Sequence, residues 1–358
     1  MRPERIELRL VRMPLRRPFR TSFGSQDEKE AILVRAQAGG IEGWGECAAG
    51  RRPLYSGEWN AGAWIVLRDE LAPAALRGEP SPVKGHPMAA TALEVALLDL
   101  RLRAEGVSLA SHLGAVRDTV ACGASLGIED DPDELLAEAA LFLERGYHRV
   151  KLKIEPGNDL EAVRAVRTAF PDAPLSVDAN AAYRPADAEH LAELDAFGLE
   201  YVEQPLPADH LLGHADLAER IGTPICLDET LTSAAATAEA IRLEACSIVN
   251  LKVGRVGGIE ESVRIHDLVR EAGVDLWCGG MLETGIGRAV NVALAAMPGM
   301  TLPGDTSASD RYFAEDITEP FMVTADGMMR VPEGPGIGVT PIPALLERAT
   351  VERTEVGP

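Results

Sequence analysis

From residue 120 onward the hydrophobic positions recur in units of about 25 residues. Each unit opens with a short apolar run, ends that run on a polar or charged residue, and continues into a stretch with helical spacing. The apolar runs are 120–125, 149–154, 174–180, 200–205, 224–229, 247–252, 275–280 and 300–305. Between them lie amphipathic segments at 133–145, 160–170, 186–194, 215–221, 234–243 and 259–272. In the first of these, Leu135, Leu136, Ala139, Ala140 and Leu143 fall on one helical face. Asp131 is placed to cap that helix, Pro132 suits its first position, and Gly146 suits its end.

Strands alternating with helices predict right-handed βαβ units and a parallel sheet. Eight such runs predict closure into an α/β barrel of the (β/α)8 type. The alternative, an open doubly wound sheet, should carry a glycine-rich phosphate loop after its first strand. The segment Cys122-Gly123-Ala124 has none, and Gly254-Arg255-Val256-Gly257-Gly258 follows only the sixth run.

Residues 1–119 follow another pattern. Segments 4–12 and 31–37 alternate like antiparallel strands, and Gly39-Gly40 makes a turn into a third strand at 41–47. Helical patterns follow at 59–76 and 88–104. These features predict a small α+β domain ahead of a barrel domain at 120–310. The remainder, 311–358, reads as a loop-rich tail that returns to the first domain.

Composition narrows the function. The chain has 358 residues, with 35 Lys plus Arg against 56 Asp plus Glu and a net charge of −21. Phosphate binding needs a basic face, so a nucleic-acid partner is not expected, nor is an anionic membrane surface. Five cysteines without a CxxC pair predict neither a disulfide framework nor a zinc finger. With no signal-peptide pattern or long apolar stretch in the sequence, the expectation is a cytoplasmic protein.

Catalytic groups of such barrels sit at the C-terminal ends of the strands. There the runs place Lys151 and Lys153, then Asp178 with Asn180, Glu203, Asp228 with Glu229, and Asn250 with Lys252. From Lys153 through Asp178, Glu203 and Asp228 to Lys252 the intervals are 25, 25, 25 and 24 residues. Equal positions in successive units put these groups side by side around one mouth. Three carboxylates offer only oxygen, which suits a hard cation such as Mg²⁺, with Mn²⁺ or another divalent ion able to substitute. None of the seven histidines falls at a strand end, which disfavours a zinc site. Lys151 and Lys153 share a strand face. Their repulsion, with a nearby cation, is expected to lower a lysine pKa toward that of a general base. Lys252 enters from the other side. Such a pair can remove a proton from one face of a carbon α to a carboxylate and return one to the other.

The set KLK, VDAN, VEQP, LDE, NLK with GRVGG, and GGMLETGIG resembles the enolase superfamily, muconate-lactonizing subgroup. Its Lys bases and Mg²⁺ are a known pattern of that superfamily. The resemblance extends to the PFRTSFG, GWGEC and YSGE segments near the N-terminus. It is nearest to the branch of o-succinylbenzoate synthases and N-succinylamino acid (N-acylamino acid) racemases, on Arg255, Gly280–Gly287 and the LPGDTS segment. It implies a (β/α)7β TIM-like barrel under an N-terminal α+β capping domain. It implies Mg²⁺ on Asp178, Glu203 and Asp228, catalysis by Lys153 and Lys252 with Lys151 tuning Lys153, and Asn180 and Glu229 beside the metal. Thr21, Phe23 and Tyr55 would close over a small carboxylate substrate. Arg255, Glu283 and Asp305 would help bind it, and Gly285 and Ile286 would offer backbone groups to an acyl tail. The implied reactions are dehydration in menaquinone synthesis, racemisation, or both. The family forms homo-oligomers, from dimers to octamers. A dipeptide epimerase is disfavoured because Asp305-Thr306-Ser307 stands where those enzymes carry Asp-x-Asp. Muconate cycloisomerase matches less well in the flanking segments. A metal-binding barrel that has lost activity would lack a ligand or a lysine, and none is missing.

Overall fold

A computed structural model of the chain describes residues 1–357. Seven strands form one parallel sheet: β5 (Gly123–Leu126), β6 (Arg149–Lys153), β7 (Leu175–Asp178), β8 (Val202–Glu203), β9 (Ile225–Leu227), β10 (Ile248–Leu251) and β11 (Asp275–Cys278). They are hydrogen-bonded in sequence order, as right-handed βαβ crossovers produce. The eighth run forms no strand. Pro303 has no amide hydrogen to contribute to a ladder, and only Gly304 makes a bridge, to Cys122. The segment nevertheless bonds to both edges of the sheet. Asp305 N donates to Cys278 O at 3.0 Å, and Gly123 N donates to Gly304 O at 2.7 Å. The sheet is thereby curled and closed by irregular chain.

The helix Pro132–Glu144 begins as expected, with the Asp131 side chain accepting from Asp133 N at 2.9 Å. Gly146 follows the helix at φ 80°, in the left-handed region that glycine adopts without cost.

The capping sheet has the order β13-β1-β2-β3, with β1 (Arg5–Thr21), β2 (Gly24–Ala38), β3 (Ile41–Cys47) and β13 (Thr350–Val356). Its hairpin is longer than the alternation predicted. Residues 14–20 contain two prolines and do not alternate, but the register shift between Pro14 and Phe19 absorbs them. The extension carries the Ser22-Phe23 turn over the barrel mouth. The tail is also more ordered than its turn signals suggested. It contributes β12 (Met328–Arg330), paired with β4 (Thr119–Ala121), then the helix Pro343–Ala349 and β13.

One large core fills the barrel and its helices, and a second fills the cap. All five cysteines are free and buried. Among the described residues no helix is long and apolar enough to cross a membrane.

Behind β8 the chain turns sharply, with Gln204 at φ 37°. Buried His214 braces this turn. Its Nδ1 bonds to His210 O at 3.0 Å, and its Nε2 accepts from Leu206 N at 3.2 Å, which requires a neutral ring. Burial lowers its pKa to about 4. The folded value lies below the unfolded one, so this stabilisation is present above about pH 6.5 and is lost as the pH falls toward 4. It amounts to about 3 kcal/mol at most. Urea unfolding from pH 7 to pH 4 should show the loss, and His214→Asn should flatten that slope while lowering stability at pH 7. Equal slopes for the two proteins would contradict the assignment.

Candidate active site

A cavity of about 540 Å³ lies between the barrel mouth and the cap. Its floor carries Lys151, Lys153, Asp178, Asn180, Lys252 and Asp305. Its roof carries Phe19, Thr21, Phe23, Leu54 and Tyr55 from the cap. Met281, Leu282, Glu283 and Tyr312 form a side wall.

The parallel register puts Lys153 beside Asp178, and Asp178 beside Glu203. Asp178, Glu203 and Asp228 are all buried, each against a cation. Lys153 Nζ donates to Asp178 Oδ2 at 2.5 Å and to Asn180 Oδ1 at 2.7 Å. Lys151 Nζ donates to Glu203 Oε2 at 2.5 Å and to Asp305 Oδ2 at 2.9 Å, and stands 3.6 Å from Asp178 Oδ2. Lys252 Nζ donates to Asp228 Oδ2 at 2.6 Å. Lys153 and Lys252 thus stand at opposite ends of the carboxylate arc. Asn180 Nδ2 donates to Glu229 Oε1 at 3.0 Å. Tyr55 reaches down from the cap, its hydroxyl bonding Asp228 Oδ1 at 2.9 Å and its ring lying 4.7 Å from Lys252 Nζ.

Charge in this site is unevenly matched. Burial, reinforced by Asp178, pushes Glu203 up to about 7. Burial and the charges of Asp228 and Asp178 push Glu229 up to about 8. Burial also acts on Asp228, but Lys252 and Arg255 outweigh it and hold that carboxyl well below its usual range. The lowering expected for the Lys151–Lys153 pair is tied to a cation bound beside it, and without one Lys151 and Lys252 shift the other way. Burial does oppose their charge, but carboxylates outweigh it and hold both ammonium groups well above the ordinary lysine value.

Among the described residues no three acidic, His or Cys side chains converge closely enough to hold an ion as they stand. Each expected ligand is instead drawn to a lysine. The donor set still fits a hard divalent cation. It is all oxygen, it crowds negative charge at Glu203, and it leaves buried Glu229 Oε2 without a hydrogen-bond partner.

Four expected substrate contacts are otherwise engaged. Arg255 does not line the cavity. It is buried, pairs with Asp228 Oδ1, and donates to Leu231 O at 2.8 Å and to Asn250 O. Gly285 and Ile286 begin the helix Gly285–Ala295, and their amides are already bonded, to Asp316 Oδ1 at 2.9 Å and to Thr284 Oγ1 at 3.3 Å. Asp305 does line the cavity but is held by Lys151 and Arg149.

Arg149 is the residue that pattern reading missed. It was counted within an apolar run, although 149, 151 and 153 share the period-two face of β6. It is fully buried, 4.7 Å from the Trp277 ring centroid, and donates to Tyr201 Oη at 2.7 Å and to Pro303 O at 2.8 Å. Gly123 makes room for it, because a Cβ there would stand 2.3 Å from Arg149 Nη2.

The structure therefore defines a capped α/β barrel whose mouth carries carboxylates on three successive strands, flanked by lysines on the strands at either end. The chain belongs to the enolase superfamily: residues 134–345 match the enolase C-terminal domain-like family, and 5–114 match the mandelate racemase / muconate lactonizing enzyme N-terminal domain. Members of that superfamily are enzymes that generally use a divalent metal. The chain is 54% identical over 363 residues to an N-succinylamino acid racemase of Amycolatopsis sp, covering 98% of each chain. It is 44% identical over 361 residues to an o-succinylbenzoate synthase of Geobacillus kaustophilus, covering 98% of this chain and 95% of that one. Its fold matches the N-succinyl Arg/Lys racemase from Bacillus cereus ATCC 14579 at TM-score 0.92 and 25% identity, covering 99% of this chain and 100% of that one.

Removing Arg149 leaves Asp305 to Lys151 and leaves Pro303 O and Tyr201 Oη without their donor, and loss of one partner of a buried ion pair costs about 3–5 kcal/mol. Arg149→Met should therefore lower the unfolding free energy by about that amount in denaturant titration. A loss under about 1 kcal/mol would show that Asp305 does not depend on Arg149.

Proposed function

We propose that this enzyme abstracts the proton α to a carboxylate of an N-acylamino acid, racemising it. The arrangement that carries this reading is the pair Lys153 and Lys252, placed at opposite ends of one arc of carboxylates. The same site supports a second reaction, the dehydration performed by o-succinylbenzoate synthase, because relatives named for both activities match nearly the full chain.

Asp178, Glu203 and Asp228 would hold Mg²⁺. When bound, the cation supplies positive charge to the substrate carboxylate, offsets the crowded carboxylates, and so loosens their hold on the lysines. Lys153 and Lys252 flank the substrate α-carbon. One takes the proton from its own face while the other, protonated, delivers one from the opposite face. Lys151, held protonated by Asp305 and Glu203, sets the positive field beside Lys153. Asn180 orients Lys153 through its Oδ1 contact, and Tyr55 orients Asp228. The roof of Phe19, Phe23 and Leu54 excludes water from the mouth. In dehydration one base suffices, and Lys252 then serves as a cation beside the developing negative charge.

Isotope exchange in deuterated water tests the assignment. With Lys252→Ala one enantiomer of an N-succinylamino acid should still exchange its α-hydrogen, and with Lys153→Ala only the other should. Racemisation should fall by about 10²–10⁴-fold in both. A single variant that racemises at the parental rate would overturn the two-base mechanism.

Metal dependence is tested separately. Calorimetry should show Mg²⁺ or Mn²⁺ binding to the parent and weaker binding to Glu203→Gln, because a charged oxygen is replaced by a neutral one. Chelation should abolish exchange. Full activity after dialysis against excess chelator would overturn the ligand assignment.

A further inference from the structure

The GWGEC segment, singled out by its sequence, takes no part in the chemistry above. Its geometry is nevertheless tightly constrained. A Cβ at Gly43 would stand 2.2 Å from Ala96 O, and one at Gly45 would stand 2.0 Å from Ala92 O. Both glycines therefore let β3 lie directly on the helix Pro87–Glu105. That packing fixes the next residue, Glu46, which is buried and leaves the cap altogether. Its carboxylate accepts three hydrogen bonds from the barrel: from Thr284 N at 3.1 Å, from Thr284 Oγ1 at 2.7 Å and from Gly287 N at 2.9 Å. These include amides of the first turn of the helix Gly285–Ala295, where a carboxylate is favoured.

A second cap residue grips the same place. Lys29, on β2, is buried and donates from Nζ to Ala48 O at 3.0 Å and to Met281 O at 2.9 Å. Among the described residues it makes no ion pair within 4.0 Å, so its charge is matched mainly by these carbonyls and by the more distant Glu46 and Glu283. Between the two grips stands Leu282, at φ 57°. A side-chain-bearing residue in that region is disfavoured by about 1–3 kcal/mol and persists only where its surroundings hold it. Gly280, Met281, Leu282 and Glu283 are together a wall of the substrate cavity.

We propose that Glu46 and Lys29 are positioning residues: reaching across from the cap, they clamp the loop 280–284 on either side of Leu282 and so set one wall of the cavity that takes the N-acylamino acid. The identity of that substrate rests on the N-acylamino acid reading above. The clamp does not touch the reacting carbon, so it governs substrate binding and leaves the proton transfers to Lys153 and Lys252.

Two measurements on full-length protein test this. Amide hydrogen exchange, without substrate, should speed up about tenfold or more at Thr284 and Gly287 in Glu46→Ala, because both amides lose their acceptor. Glu46→Gln, which keeps one accepting oxygen, should lie between Ala and parent. In kinetics with an N-succinylamino acid, Glu46→Ala and Lys29→Met should raise KM about tenfold while kcat stays within about threefold. A purely structural role would lower the melting temperature and the active fraction but leave the KM of the surviving enzyme unchanged, and that result would overturn the proposal. Parental exchange rates at Thr284 and Gly287 would overturn it equally. If Glu46→Ala does not fold, Lys29→Met decides, read by exchange over 280–284 and by KM. A parent protein inactive toward every N-acylamino acid would sink the substrate reading, while the exchange measurement would still decide the clamp.

Discussion

The structure depends on keeping three buried carboxylates side by side. Asp178, Glu203 and Asp228 occupy adjacent strands with almost no exposure, and each buried ion alone would cost several kcal/mol. Interleaved cations make the arrangement tolerable. Lys153 serves Asp178, Lys151 serves Glu203 and Asp305, and Lys252 with Arg255 serves Asp228. The compensation is incomplete, since Glu203 and Glu229 remain above the ordinary carboxylate range. A site whose crowded carboxylates offer only oxygen as ligand atoms suits a hard divalent cation.

That charge lattice also accounts for how the barrel closes. The eighth segment lacks a regular ladder, so the seam needs other bonds. Arg149 supplies them by joining Asp305, Pro303 O and Tyr201 Oη beneath the mouth. Asp305 in turn orients Lys151 toward Glu203. Gly123 is small because Arg149 fills the space beside it. One run of contacts therefore links the closure of the sheet to the placement of an active-site lysine.

The residues proposed to be catalytic were legible because period carries them. A βα unit of nearly constant length returns each strand end to the same height, so the charges in phase from Lys153 to Lys252 could be read without coordinates. Residues whose role depends on contacts between distant segments were not legible this way. Arg149 looked like part of an apolar strand, and Glu46 and Lys29 act on a loop more than 230 residues away. Arg255 and Gly285 were assigned to substrate by resemblance, but Asp228 and Asp316 had already taken their donors. The long hairpin was cut short in the reading because prolines interrupt its alternation, whereas a register shift accommodates them in the fold.

These differences separate two kinds of work in the molecule. Groups that hold charge, and those proposed to move protons, come from barrel strands, where neighbouring ladders fix them. Groups that shape the cavity come from the cap and from loops, where only a few long-range bonds fix them. Tyr55 is the cap residue that joins the two sets, bonding Asp228 from above and stacking on Lys252. A change in the roof or side wall can therefore alter which substrate fits while the lysine and carboxylate arc stays intact. A change at Tyr55 cannot be confined in that way, because the same hydroxyl that lines the cavity also fixes a carboxylate of the arc. Relatives named for racemisation and for dehydration both match nearly the full length of this chain, as expected when the arc defines the chemistry and the walls select the substrate.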